Sequence, residues 1–179
     1  MKLYAIRHGL TDANAQGIFN GNLNEDINEI GISQAIETKE LMKDTNYDVI
    51  YCSPMLRAKH TCEIINDKNI SVIYDDRLRE RTLGNLDGKI LAKEGFGKEL
   101  FFDYNYKSDD KKFEDLPTLF KRVHNFLDEV MKENEDKNVL IVAHGGVLRA
   151  IYFYFNKLPE NGDLSIYVPK NCEINTYEV

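Results

Sequence analysis

The stretch Leu3-Tyr4-Ala5-Ile6-Arg7-His8-Gly9 decides how this chain is read, because a short apolar run ends abruptly in arginine, histidine and glycine. A second stretch, Val139-Leu140-Ile141-Val142-Ala143-His144-Gly145-Gly146, repeats the pattern near the other end. Short apolar runs rich in β-branched residues and closed by glycine read as buried strands, the pattern of a parallel sheet in an α/β protein. Ligands of open α/β sheets bind outside the carboxyl ends of the strands. Two imidazoles and a guanidinium delivered there point to a site for an anion.

Working outward, Leu10 to Ile27 reads as a long polar loop with Gly17 and Gly21, after which Asn28 caps a helix carrying Ile32, Ala35 and Ile36 on one face. Asp48 to Cys52 is the next strand. Ser53 and Pro54 break it and open a helix from about Met55 to Asn66, serine serving as the cap and proline suiting the first turn. A strand follows from Ile70 to Tyr74. Behind Pro117, the positions Leu119, Phe120, Val123, Phe126, Leu127, Val130 and Met131 recur at helical spacing and lead into the Val139 strand. A helix from Val147 to Phe155 and one or two short strands complete the chain. Strands alternating with helices predict a three-layer α/β/α sandwich around a mostly parallel central sheet.

With 179 residues and 42% hydrophobic content, the chain is long enough for a real core and is expected to form one domain over residues 1–179. A net charge of −7 and a pI near 5.2 argue against charge-driven binding to nucleic acid or acidic membranes. An anionic substrate therefore needs a local cationic pocket. Cys52, Cys62 and Cys172 are odd in number, lack metal-type spacing and read as reduced thiols, which suits a cytoplasmic protein. No apolar run approaches the length of a membrane span, and the expected state is a monomer or homodimer.

Four strand ends carry polar groups toward one sheet edge: Arg7 and His8, Ser53 with Arg57, Glu80, and His144. Taken singly, an arginine at a helix start or a glutamate between two arginines is an ordinary surface group. Their recurrence at four strand ends is not. The sequence at those ends resembles the histidine phosphatase superfamily, the phosphoglycerate mutase-like clan. Five blocks carry the resemblance in order: Arg7 to Asn14 (RHGLTDAN), Gly21 to Ala35, Cys52 to Thr61 (CSPMLRAKHT), Leu78 to Gly88 (LRERTLGNLDG) and Val142 to Arg149 (VAHGGVLR). The resemblance implies that His8 is the phosphorylated nucleophile, that Arg7, Arg57 and His144 hold the phosphoryl oxygens, that Asn14 is a further phosphate contact, and that Glu80 is the proton donor. Those residue types suit the chemistry, since a neutral imidazole is a good nucleophile toward phosphorus and guanidinium forks match the spread charge of a phosphoryl group in transfer. No metal and no cofactor are called for.

The family holds mutases as well as phosphatases. Here Thr82-Leu83 follows the glutamate, where the resemblance to phosphoglycerate mutases would require an aromatic tyrosine. Arg7 to Thr11 (RHGLT) looks like the phosphatase branch, and no arginine lies between Arg81 and Arg122. The expected activity is therefore hydrolysis of a small-molecule phosphomonoester, with mutase-type phosphoryl transfer or non-catalytic binding of a phosphorylated ligand as alternatives. Residues 89–115, the family's variable insertion, carry Phe96, Phe101, Phe102, Tyr104, Tyr106 and Phe113 and are expected to cover the pocket. Lacking arginine, they suggest a substrate with a partly apolar body rather than a second acidic group.

Overall fold

In the computed structural model, which describes residues 1–179, the two strands singled out above lie side by side. The elements in order are β1 (Lys2–Arg7), α1 (Asp12–Ala15), α2 (Glu29–Met42), β2 (Val49–Cys52), α3 (Leu56–Ile65), β3 (Val72–Tyr74), α4 (Glu99–Phe102), α5 (Leu116–Glu133), β4 (Val139–Ala143), α6 (Gly145–Phe155) and β5 (Ile174–Glu178). One sheet of five strands runs in the order β3-β2-β4-β1-β5, parallel throughout except for β5, which is antiparallel to β1. β4, flanked on both sides and buried at all five residues, divides its side chains between two cores. Val139, Ile141 and Ala143 face α5 and α6; Leu140 and Val142 face the layer of α2 and α3. This is the expected α/β/α sandwich.

Register sets the site. Arg7 pairs with Ala143 and Cys52 with Val142, so three neighbouring strands end level with one another. The amides of His8 and Ser53 carry the ladder one step further, onto the carbonyls of Ala143 and Val142 at 3.0 Å each. His8, His144 and Ser53 therefore emerge together at the carboxyl edge.

Several local expectations change. The loop from Leu10 to Ile27 contains α1, which the Thr11 side chain caps by accepting from Asn14 N at 3.1 Å. α2 does start after an Asn28 cap, yet it buries Gly31, Ala35, Thr38 and Met42, while Ile36 stays 49% exposed. The cause is a close backbone approach: a Cβ added at Gly31 would lie 2.3 Å from the Leu10 carbonyl oxygen, and one at Gly9 2.5 Å from that of Gly31. Contact between these two glycines turns the helix away from its apolar stripe. α3 begins at Leu56 with Met55 rather than Ser53 at the cap position, and the Asn24 side chain accepts from the Leu56 amide at 2.9 Å. The tail supplies a single strand, β5.

Residues 89–115 form a small cluster of their own, in which buried Leu91 and Leu100 join Leu83 beneath Phe96, Phe101, Tyr106 and Phe113. Two arginines fasten it to the sandwich. Arg81 donates to the carbonyls of Leu100 and Glu114, and Arg149 on α6 donates to the carbonyl of Phe101. Tyr104 belongs to the main core instead, edge-on to Phe120 with ring centroids 5.3 Å apart. No helix is long and apolar enough to cross a membrane.

Candidate active site

At the carboxyl edge lies a cavity of ≈ 650 Å³ lined by Arg7, His8, Asn14, Arg57 and Glu80 among others. His144 is fully buried behind its wall, the two imidazole centroids 5.1 Å apart. All six residues expected from the sequence thus converge.

His8 has its Nδ1 2.7 Å from the carbonyl oxygen of Gly9. A carbonyl only accepts, so Nδ1 carries the proton and Nε2 keeps its lone pair. Burial, reinforced by the charges of Arg7 and Arg57, pushes the His8 pKa well below the ordinary imidazole value and keeps the ring neutral. The Nε–H of Arg57 donates to Nε2 at 3.2 Å. Arg57 is itself clamped, Nη1 on the carbonyl of Leu23 at 2.6 Å and Nη2 on that of Gly21 at 3.0 Å, which holds its Nε on the His8 side. Burial lowers its pKa to about 10, which leaves it cationic at neutral pH.

His144 is held from behind. The Ser53 hydroxyl lies 2.7 Å from His144 Nε2 and accepts from the Met55 amide at 3.4 Å, so its O–H is free to donate to the ring. The proton of neutral His144 then sits on Nδ1, a buried atom with no partner in the protein. Arg7 Nε is likewise buried and unpartnered, while Arg7 Nη1 donates to the carbonyl of Pro169 at 3.0 Å. Burying donors without acceptors is costly, and two around one cavity call for an anion. Burial, with the charges of Arg57 and Arg7 adding to it, also drives the His144 pKa well down.

Glu80 reaches the site from the turns after β3. Its Oε1 accepts from the Arg81 amide at 3.0 Å, and its Oε2 accepts from the Gly146 amide, in the first turn of α6, at 3.1 Å. A Cβ at Gly146 would fall 2.4 Å from Oε1, so this docking needs glycine. Each carboxyl oxygen is anchored by one backbone N–H, and Glu80 is the only acidic residue in the cavity lining.

A family profile described as the histidine phosphatase superfamily (branch 1) matches residues 3–179. The chain belongs to the histidine phosphatase superfamily. This histidine phosphatase is 33% identical over 172 residues to the metal-independent phosphoserine phosphatase of Arabidopsis thaliana, with 91% of this chain and 72% of that protein covered. It is 30% identical over 184 residues to phosphoserine phosphatase 1 of Hydrogenobacter thermophilus, covering 100% of this chain and 85% of the other. Among solved structures, Bacillus stearothermophilus YhfR superimposes with a TM-score of 0.88 at 26% identity, covering 99% of this chain and 91% of that one. Family and relatives together assign phosphomonoester hydrolysis to this enzyme.

The structure adds residues that the sequence reading passed over. Thr61 on α3 accepts from the Gly9 amide at 3.0 Å and donates to the Arg57 carbonyl at 2.7 Å, tying the nucleophile's turn to the arginine's helix. Asn171 donates to the His8 carbonyl at 2.7 Å from the strap before β5. The premise behind one expectation changes. Residues 89–115 do lack arginine, but Arg81, Lys98 and Arg149 line the same cavity, two of them from outside the insertion, so cations beyond the phosphate pair are available. Residue type within a segment does not reveal what neighbouring elements bring to it.

Proposed function

We propose that this chain hydrolyses small phosphomonoesters through a phosphohistidine on His8. The observation that carries the reading is the neutral His8 ring, its Nδ1–H donated to Gly9 and its Nε2 lone pair set beside Arg57. As the phosphoryl group enters, Arg57 Nε hands its hydrogen bond from Nε2 to a phosphoryl oxygen, Nε2 attacks phosphorus while the ester P–O bond breaks, and Glu80 delivers a proton to the departing oxygen. Arg57 Nε, Arg7 Nε and His144 Nδ1 then donate to the phosphoryl oxygens, with Asn14 beside them. In the second half, water attacks phosphorus, Glu80 takes the water's proton, the N–P bond breaks and Nε2 recovers its electron pair. Ester and water become alcohol and inorganic phosphate. The protein's own donors supply the charge stabilisation in this sequence of steps.

Residues 89–115 serve in this reading as the cover of the pocket, presenting Phe96, Phe101 and Phe102 to the substrate's body. Three free, buried cysteines suit a reducing cytoplasm. Acid quenching during turnover of a labelled substrate tests the mechanism. Wild type should yield an acid-labile, alkali-stable phosphoprotein and His8→Ala none. His144→Ala should still form the adduct, with turnover slowed by roughly 10²–10³-fold, as for loss of one transition-state donor. A labelled adduct in His8→Ala, or steady turnover of wild type with no trapped adduct, overturns the assignment.

A further inference from the structure

Gln34 falls within the second of the five blocks, on α2, and its amide oxygen is spent on one backbone group of the nucleophile's turn. The Leu10 amide donates to Gln34 Oε1 at 2.9 Å. That amide belongs to the same peptide group as the Gly9 carbonyl, whose oxygen accepts from His8 Nδ1 at 2.7 Å. Imidazole, peptide and side chain are therefore connected in series: Nδ1–H to Gly9 O, then Leu10 N–H to Gln34 Oε1.

The turn is pinned plane by plane. In the peptide joining His8 to Gly9, the carbonyl accepts from Asn171 at 2.7 Å and the amide donates to Thr61 at 3.0 Å. In the peptide joining Gly9 to Leu10, the carbonyl holds the imidazole and the amide is held by Gln34. Each plane is thus fastened at both ends. The Leu10 carbonyl closes the turn by accepting from the Asn28 amide at 2.9 Å. Close approach of Gly9 and Gly31 brings α2 within reach, and Gln34 stands about one turn beyond Gly31 on that helix. The rotation of α2 that leaves Ile36 half exposed is the one that sets Gln34 against the turn.

Hydrogen bonds in series polarise one another. A peptide that donates its N–H carries more negative charge on its carbonyl oxygen, so the bond to Gln34 strengthens the grip of Gly9 on Nδ1–H. A firmer grip keeps the proton on Nδ1 and adds electron density to the ring, leaving Nε2 the better nucleophile. We propose that Gln34 is a positioning residue for the nucleophile: acting through the Gly9–Leu10 peptide, it orients the His8 ring and raises the electron density at Nε2. This role rests on the reading of His8 as the nucleophile and names what sets that ring. Gln34 does not line the cavity, so phosphate binding is indifferent to it.

The test compares Gln34→Met, which keeps the length and removes the acceptor, with Gln34→Glu, which keeps an acceptor oxygen. For 4-nitrophenyl phosphate, kcat/KM reports the steps up to phosphorylation of His8, and the inhibition constant of inorganic phosphate reports the phosphate pocket. Gln34→Met should lose roughly three- to tenfold in kcat/KM, the weight of one hydrogen bond, with phosphate inhibition within about twofold of wild type. Gln34→Glu should recover most of that loss. An unchanged kcat/KM in Gln34→Met overturns the proposal. A parallel loss of kcat/KM and phosphate affinity also overturns it, since that is the result of a residue that only fastens the loop, as does a Gln34→Glu enzyme no better than Gln34→Met. Acid quenching of wild type decides the reading beneath: no His8-dependent phosphoprotein there overturns the nucleophile, and the role of Gln34 with it.

Discussion

Gly146→Ala separates the acid role of Glu80 from everything else at the site. The added methyl would lie 2.4 Å from Glu80 Oε1. A carbon and an oxygen settle at about 3.3 Å, so the carboxyl group has to retreat by roughly 0.9 Å. It also loses or stretches the 3.1 Å hydrogen bond from Gly146 N to Oε2. The backbone tolerates the change, because Gly146 is helical and alanine in a helix is favoured over glycine by up to about 1 kcal/mol. A misplacement of about 1 Å costs on the order of 10²-fold in rate, or roughly 2.7 kcal/mol of barrier. That cost falls only on steps that need the proton. The assay is kcat/KM for an alkyl phosphate, whose leaving oxygen must be protonated, against an aryl phosphate whose leaving group departs as an anion. Gly146→Ala should lose about 10²-fold on the first and within a few-fold on the second, and Glu80→Gln should show the same divergence more steeply. Equal losses on both substrates would mean that the methyl disturbs phosphate binding and that Glu80 is not the acid. An unchanged alkyl phosphatase would show that the carboxyl position is immaterial.

Two further outcomes follow from the packing. His8 and His144 have pKa values held below the ordinary 6.5 by burial and by neighbouring arginines, so below that pH the unfolded chain binds protons that the folded chain refuses. Stability of the ligand-free protein should fall as pH drops through 6.5 and be regained above it; urea midpoints between about pH 5 and 8 should show this slope in wild type and less of it in His8→Asn, and equal slopes would remove His8 from the account. Tyr104 and Phe101 should part company: Tyr104→Ala, which removes the ring packed on Phe120, should cost about 2–4 kcal/mol of stability and leave relative substrate preferences alone, whereas Phe101→Ala should reorder them across a panel of phosphomonoesters. Reordering by Tyr104→Ala, or none by Phe101→Ala, refutes that division.

Much of the architecture is legible in residue order alone. The run at Val139 is a strand because a doubly covered sheet position suits five consecutive buried residues, the run at Leu3 buries Leu3, Ala5 and Ile6 beside it, and glycine after histidine ends each of them. Asn28 and Pro117 mark the starts of α2 and α5 because their side chains act on the backbone immediately beside them. The convergence of His8, Arg57, Glu80 and His144 could be anticipated for the same kind of reason: each sits at or just past a strand end, and parallel strands all end on one edge.

Tertiary structure alone decided what depends on chain segments meeting. Ser53 looked like a helix cap but braces His144, because parallel register puts its hydroxyl 2.7 Å from that ring. Ile36 matched an apolar stripe and is half exposed, because contact between Gly9 and Gly31 sets the rotation of α2 more strongly than its side chains do. The carbonyls of Gly21, Leu23 and Gly9 that aim Arg57 and choose the tautomer of His8 have no sequence signature, since every residue owns a carbonyl and only the fold says where it points. Arg149 was visible as a letter within a familiar block, and its place opposite the insertion came from α6 packing against the rest of the sheet's edge. Local chemistry is written along the chain; the pairing of charges across a cavity is written in the distances between its segments.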